Sequence, residues 1–513
     1  MKNNNHSRFE RGSGVLLHIT SLPGEHGIGN LGKSAFDFVD YLKSGGQKYW
    51  QILPAGPVSS GYSFSPYSSY SSFAGNQLFI DPVSLQKESW MHSDIVSDLK
   101  HVPDRELIDF QETETSINNF LQIAWINFKE NAISSEKDNF EQFCENNKHW
   151  LNNFSLFRSI SGRFNSFDWR SWGEGLKIRE NGDIKEYSAL LAEEIRFVNF
   201  EQYIFDLQWR KLKNYCKNNN IRLIGDIPIY AGMDSADVWA NTGIFQFNDN
   251  LEPEGVAGVP PDYFSETGQK WGNPLYKWFS GDKTNTLTLD WWLLRMRRLL
   301  ELVDIVRIDH FRGFESYWSV EPDSVDGRNG KWVTGPGKDL FDFLKKSAGN
   351  LPVIAEDLGI ITDEVNKLRE ETGFPGMKIL QFAFDQQPDN PYIPENITDP
   401  NSVIYTGTHD NNTSAGWFAN EISDIRTKEY IRSYLKLDKD EDFLWKFIEC
   451  SISSIADISI VPLQDILGLG EGSRLNTPGT SGSSNWRWKT IGSAFENTKM
   501  EKLKKLCERH GRL

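Results

Sequence analysis

The segment Asp304–His310 reads DIVRIDH, an apolar, β-branched run that closes on a carboxylate. Three other runs share its plan: Ile221–Pro228 (IRLIGDIP), Pro352–Gly359 (PVIAEDLG) and Val403–Asp410 (VIYTGTHD). Their acids are Asp226, Asp309, Glu356 and Asp410. Continuous apolar runs of this length are what strands buried on both faces require, as in a parallel sheet covered by helices. In a parallel α/β barrel the C-terminal strand ends share one rim, and active sites sit there. Acids far apart in sequence would converge on that rim, and such a set points to nucleophile and general-acid work on a glycosidic bond.

Working outward, eight candidate strands emerge: Ser13–Thr20, Tyr49–Pro54, Ile221–Pro228, Asp304–His310, Pro352–Asp357, Met377–Phe384, Val403–Thr408 and Ile458–Leu463. Helical periodicity predicts Ser34–Lys43, Ser116–Ala132, Lys137–Ser159, Ser188–Asn219, Asp290–Leu302, Asp339–Lys346, Asp363–Glu371, helices within Ile425–Ser453, and a final helix in Asn497–Leu513. Alternation of strand and helix predicts an α/β fold, a (β/α)8 TIM barrel with inserted, mostly helical subdomains. The expected organisation is a single catalytic barrel over 1–513. A loop and helical insertion falls at about 56–220, between the second and third strands, and a covering insertion at about 236–290. The stretch Gly56–Asn76 is rich in Ser and Gly but carries Tyr62, Phe64, Tyr67, Tyr70 and Phe73, too aromatic for a disordered linker. It reads as an ordered loop lining a site. Ala236–Tyr276 reads as loop, most irregular at Gly255–Phe264.

Composition narrows the partners. The net charge of −16 argues against nucleic acid and anionic membrane. The N-terminal residues lack the apolar core of a secretory signal, and no run approaches the ~18 apolar residues of a membrane span. A cytoplasmic location is expected. Cys144, Cys216, Cys450 and Cys507 have no metal-ligand spacing and read as reduced, small buried hydrophobes.

Arg307 and Asp309 are two apart on one strand and face the same way. A guanidinium there would lower the carboxyl pKa and hold Asp309 ionised, as a nucleophile must be. Glu356 has no neighbouring cation in sequence; a drier site would raise its pKa and suit it to acid/base work. Retention of configuration would place these two carboxyls about 5–5.5 Å apart. Asp410, with His409 beside it, would hydrogen-bond sugar hydroxyls and stabilise the transition state. The plainer reading of any single strand-end Asp, such as Asp226, is a helix cap or loop anchor. Asp304 and Asp357 read as structural.

Several motifs resemble the amylomaltases, the 4-α-glucanotransferase family that includes the plant disproportionating enzymes and belongs to a glycoside hydrolase clan related to the α-amylases. They are SGVLLHITSLPG (Ser13–Gly24), GDIPIY (Gly225–Tyr230), DSADVWAN (Asp234–Asn241), WGNPLY (Trp271–Tyr276), RIDHFRG (Arg307–Gly313), AEDLG (Ala355–Gly359), FPGMKILQFAF (Phe374–Phe384), GTHDN (Gly407–Asn411) and NTPGT (Asn476–Thr480). The resemblance implies retaining double displacement on α-1,4-glucans through a covalent glycosyl-Asp intermediate, with glucose or maltose as acceptors and no metal or cofactor. Asp309 matches the nucleophile, Glu356 the acid/base and Asp410 the transition-state stabiliser. Asp226, Arg307, His310 and His409 match residues around the sugar at the cleavage point, Tyr62 an aromatic under that ring, and Trp271 and Asn476 neighbours of the acceptor side. Gly255–Phe264 matches a mobile loop over the cleft. Where many members read Tyr-Gly-Asp-Ser-Pro-Tyr, this chain reads Tyr62-Ser63-Phe64-Ser65-Pro66-Tyr67. Two alternatives stay open: an α-1,4-glucan hydrolase using the same acids, which would raise reducing ends, and a non-catalytic glucan-binding protein.

Overall fold

A computed structural model describes residues 9–24, 26–88, 90–91, 105–261, 265–480, 484–492, 494–495 and 497–513. Eight parallel strands follow one another around a barrel in chain order: Gly12–Leu16, Tyr49–Gln51, Arg222–Ile227, Ile305–Ile308, Val353–Ala355, Gly376–Ile379, Ser402–Tyr405 and Ile458–Pro462. Gly12–Leu16 pairs in parallel with both Tyr49–Gln51 and Ile458–Pro462, joining the two ends of the chain. The remaining seam, between Val353–Ala355 and Gly376–Ile379, is bridged where the Ala355 amide donates to the Pro375 carbonyl at 2.9 Å. Gly376 is needed there, because a Cβ would lie 2.2 Å from the Asp357 carboxylate. That carboxylate accepts the Met377 N–H at 2.7 Å and pairs with Arg369 at 3.1 Å, so Asp357 serves the seam. Asp304 likewise accepts the Leu223 amide at 2.9 Å, away from the strand ends that bear the other acids.

The barrel is a packed core. Leu16, Tyr49, Ile224, Ile354, Met377, Val403 and Ile458 fill its interior. Above them the filling turns polar: Tyr405 donates to Gln51 at 2.9 Å, and Asp226 stands in register with Arg307. Between the second and third strands lie the helices Phe110–Asn131, Ser134–Phe164, Asn181–Leu190 and Ala192–Asn218.

Several predicted bounds shift. The strands end earlier than their apolar runs, because the chain turns out over the rim. The sixth stops at Ile379, and Leu380–Ala383 forms a 3-10 turn whose Leu380 and Ala383 pack with Trp417 and Phe418 in a separate cluster. The predicted helix Ser188–Asn219 is two helices, broken at Leu191 (φ −106°, ψ 25°). Ala236–Tyr276 is more regular than expected. It contains the helix Ala236–Ala240 and the strands Val256–Val259 and Gln269–Pro274, which join Ser316–Val320 and Gly330–Thr334 in a four-stranded antiparallel sheet. These strands are short, all but Val256–Val259 are mostly part-exposed, and several partners are distant in sequence, so no local alternation announces them. The last part of the expected covering loop, residues 262–264, lies outside the described residues. Among the described residues no helix is long and apolar enough to cross a membrane.

Candidate active site

A cleft of about 640 Å³ opens at the C-terminal strand ends and is lined by Asp309, Glu356 and Asp410. Asp309 and Glu356 each follow directly on the last strand residue, Ile308 and Ala355. Asp410 stands farther out, beyond a turn in which Asn411 accepts the Thr408 amide at 2.9 Å.

One guanidinium nitrogen organises the floor. Nη1 of Arg307 donates to both oxygens of Asp226, at 2.8 and 2.7 Å, and to Oδ1 of Asp309 at 3.1 Å. The Asp226 side chain is wholly buried and absent from the cleft lining. It lies beneath the floor, so any influence it has on a bound sugar passes through Arg307 and through Tyr67, whose hydroxyl donates to it at 2.8 Å.

Glu356 is held by backbone. Its Oε2 accepts the His310 N–H at 2.6 Å and its Oε1 the Leu358 N–H at 2.9 Å. His310 adopts a left-handed conformation (φ +53°) that aims this amide. Burial drives the His310 ring pKa down to about 3, so the imidazole is neutral. Its Nε2 is buried with no hydrogen-bond partner, and the residue lines the cleft. Trp271 meets the His310 ring edge-on at 4.9 Å.

Asp410 is fixed from two sides. Asn476 donates to Oδ1 at 2.6 Å, and Nε2 of His409 lies 3.3 Å from Oδ2. Burial lowers the His409 pKa; a neutral ring bearing its proton on Nε2 satisfies this contact. Arg474 donates to the Asp410 carbonyl at 2.7 Å.

The charge balance differs from the sequence expectation. Arg307 does not hold Asp309 low by itself. Burial pushes the Asp309 carboxyl well above the usual carboxylate range, Arg307 opposes this, and Glu356 and Asp226 add to the rise. Burial also raises Glu356, opposed by Arg307 and by its two backbone donors. Several acids crowd around a single buried cation, so the free site favours taking up a proton. The Asp309 side chain keeps 28% of its surface open to the cleft, and water reaching it moderates the push.

Tyr62 lines the cleft. Its hydroxyl donates to Asp234 at 2.7 Å, and its charged neighbours are Asp234 and Arg170. Tyr67 stacks on His409 at 5.0 Å and 16° and feels Asp226, Arg307, Asp309 and Asp410. The sequence names Tyr67 only as one of the aromatics of the site-lining loop and gives it no role of its own. Arg474 is not singled out by any local pattern. Among the described residues no group of three or more His, Cys, Asp or Glu is arranged to hold a metal ion.

The chain is similar to known proteins over nearly its whole length. A family model described as 4-alpha-glucanotransferase matches residues 17–493. The chain is 44% identical to a 4-alpha-glucanotransferase of Clostridium butyricum over 97% of this chain and 100% of that protein. It is 40% identical to one of Thermus thermophilus over 98% of this chain and 99% of that protein. Among solved structures, the amylomaltase of Streptococcus agalactiae in complex with acarbose superposes with a TM-score of 0.92 at 35% identity, covering 98% of this chain and 100% of that one.

Proposed function

We propose that this chain, which belongs to the 4-alpha-glucanotransferase family, carries out its 4-alpha-glucanotransferase activity by a retaining double displacement through a covalent glycosyl-Asp309 intermediate. The single observation that carries the reading is the floor itself, where two carboxyls on adjacent strands share one cleft with a buried guanidinium beneath them.

Asp309, ionised, attacks the anomeric carbon of an α-1,4-linked donor. As that bond forms, the glycosidic C–O bond breaks, and protonated Glu356 gives its proton to the departing 4-oxygen. Arg307 keeps Asp309 oriented, with Asp226 and Tyr67 holding the guanidinium in place. Asp410, oriented by Asn476 and His409, accepts hydrogen bonds from sugar hydroxyls that strengthen as positive charge develops on the ring. The unpartnered Nε2 of His310 is available to a hydroxyl. In the second half Glu356 takes the proton of an acceptor 4-hydroxyl, whose oxygen attacks the anomeric carbon and frees Asp309. Configuration is inverted twice and so retained. The upward push on Glu356 suits a proton donor, while Arg307 opposes the same push on Asp309. No step needs a metal or organic cofactor.

Transfer rather than hydrolysis requires that a sugar reach the intermediate before water does. The aromatic rim around Trp271 supports acceptor binding there. The test is incubation with maltotriose, resolving products by size and counting reducing ends. A ladder of longer maltooligosaccharides plus glucose at nearly constant reducing ends supports the reading; glucose and maltose with rising reducing ends overturns it in favour of hydrolysis. Glu356→Gln is expected to lower turnover by about 10²–10⁴-fold while still binding maltooligosaccharide. Full turnover in that variant would remove Glu356 from its role.

A further inference from the structure

A second, smaller cavity of about 60 Å³ lies behind the floor of the cleft. Its wall is built by Asp226 and Pro228 at the end of the third strand, by Phe73 of the Gly56–Asn76 loop, and by Arg295 and Arg298 of the helix Thr286–Leu302. It is too small for a sugar ring, but it exceeds the roughly 10–15 Å³ that a single water needs.

Arg295 and Arg298 stand three apart and share a helix face. Both are nearly fully buried, at 2% and 4% exposure. Indoles lie over the two guanidinium groups: Trp291 and Trp292 at 5.3 and 4.8 Å from Arg295, and Trp150 at 5.2 Å from Arg298. What remains for a ligand is the guanidinium edges. Each group keeps one buried nitrogen with no hydrogen-bond partner, Nε of Arg295 and Nη2 of Arg298. In the planar guanidinium, Nε and Nη2 form one edge. Nη2 of Arg295 donates to the Pro228 carbonyl at 2.6 Å, and Nε of Arg298 to the Phe73 carbonyl at 3.1 Å. Pro228 and Phe73 are both cavity wall, so each unused N–H lies on an edge turned toward the cavity.

The charges around the cavity leave one cation over. Arg298 is balanced through Nη1 by Asp206 at 3.3 Å and Glu301 at 3.1 Å. Asp226 is balanced by Arg307. Arg295 spends its other donors on the Pro228 and Ile229 carbonyls and the Tyr276 hydroxyl, and among the described residues it has no ion-pair partner. The acid whose charge it feels is Asp237, whose carboxylate accepts the Ser72 amide at 2.6 Å. A buried cation without a counter-ion is costly. One uncompensated positive charge, two convergent N–H donors and a space of a few water volumes select a small monovalent anion.

We propose that Nε of Arg295 and Nη2 of Arg298 hold one chloride-sized anion in this cavity. The anion supplies the counter-ion of Arg295 and braces the end of the third strand from behind, where Asp226 holds Arg307.

Two measurements on the whole protein test this, and neither depends on the transfer chemistry. Crystals grown in sodium bromide are read by anomalous diffraction. Thermal unfolding is followed as sodium chloride replaces sodium isethionate at constant ionic strength, in wild type and in Arg298→Lys, which keeps the positive charge but lacks the Nη2 donor. A bromide peak is expected within hydrogen-bond distance of both nitrogens. The wild-type Tm is expected to rise by about 1–2 °C and to level off by about 0.15 M chloride. Arg298→Lys should lose most of that rise. No bromide at the site, a Tm that climbs without saturating, or an equal rise in Arg298→Lys overturns the proposal, the first outcome leaving water as the occupant. If Arg298→Lys does not fold, the bromide map and the saturation of the wild-type rise decide by themselves.

Discussion

At the scale of single residues, the site is a contest for one cation. Arg307 donates through the same nitrogen to Asp226 and Asp309, and burial pushes both Asp309 and Glu356 upward. Attack requires Asp309 ionised. Proton uptake by the pair at a pH above the ordinary carboxylate range of about 4 therefore removes activity there. The acidic limb of a kcat/KM profile is expected to lie above pH ~4, and a limb at or below that value would show that Arg307 outweighs burial. Tyr67→Phe removes the hydroxyl that Asp226 accepts at 2.8 Å while keeping the ring stacked on His409. Loss of one hydrogen bond to a charged group, about 1.5–3 kcal/mol, predicts a fall in kcat/KM of about tenfold or more. Tyr62→Phe, which breaks a contact to Asp234 and leaves the Arg307–Asp226 pair intact, should cost less. At this scale the sequence was informative about acids and much less so about aromatics. The strand-end acids were legible because an apolar run ending in a carboxylate is a local pattern. Tyr62 and Tyr67 stand in the same loop, and only packing against His409 tells them apart.

At the scale of elements, strand ends must be held so that their acids meet. The helix Thr286–Leu302 does this for the third strand. Arg295, 2% exposed, lies against Trp291 and Trp292 and donates to the carbonyls of Pro228 at 2.6 Å and Ile229 at 3.0 Å. Those carbonyls follow directly on the strand that carries Asp226. Arg295→Met would leave the Pro228 carbonyl unpaired and the Ile229 carbonyl with only the Tyr276 hydroxyl, at 3.0 Å. It is expected to lower stability by about 1–3 kcal/mol on that basis, measured by denaturant unfolding, and to lower kcat as the floor loosens. A stable variant with full kcat would show that the strand end needs no such clasp. The helix itself was legible from its period. The direction in which Arg295 points was not, since an Arg amid Trp residues is more often read as surface. The four-stranded antiparallel sheet was missed for the complementary reason: Val256–Val259 and Ser316–Val320 pair across distant sequence, and each is too short to show alternation.

At the scale of the whole molecule, the barrel is closed by its two ends. The first and last strands pair with each other, and Arg512, wholly buried, donates to the carbonyls of Gly12, Ile452, Ser454 and Asp457. Arg512→Met is expected to destabilise the fold by about 2–3 kcal/mol, as four carbonyls each lose a donor, although those of Asp457 and Ser454 keep the Gly12 amide and Arg11, read as a lowered denaturant midpoint. A midpoint unchanged would mean that water replaces the guanidinium. Nothing in the tail HGRL marks Arg512 as anything but a solvated charge. By itself the sequence determined the barrel, because eight apolar runs separated by helices leave few other ways to bury both faces of each strand. It also determined which acids stand at the strand ends, since those positions are set by the runs themselves. Only the tertiary structure decided that Asp226 lies under the floor rather than on it and that the Tyr67 hydroxyl holds Asp226 while the Tyr62 hydroxyl holds Asp234. It alone decided, too, that Arg307 is shared. Burial and hydrogen-bond partnership belong to groups brought together from separate strands, and no local pattern encodes them.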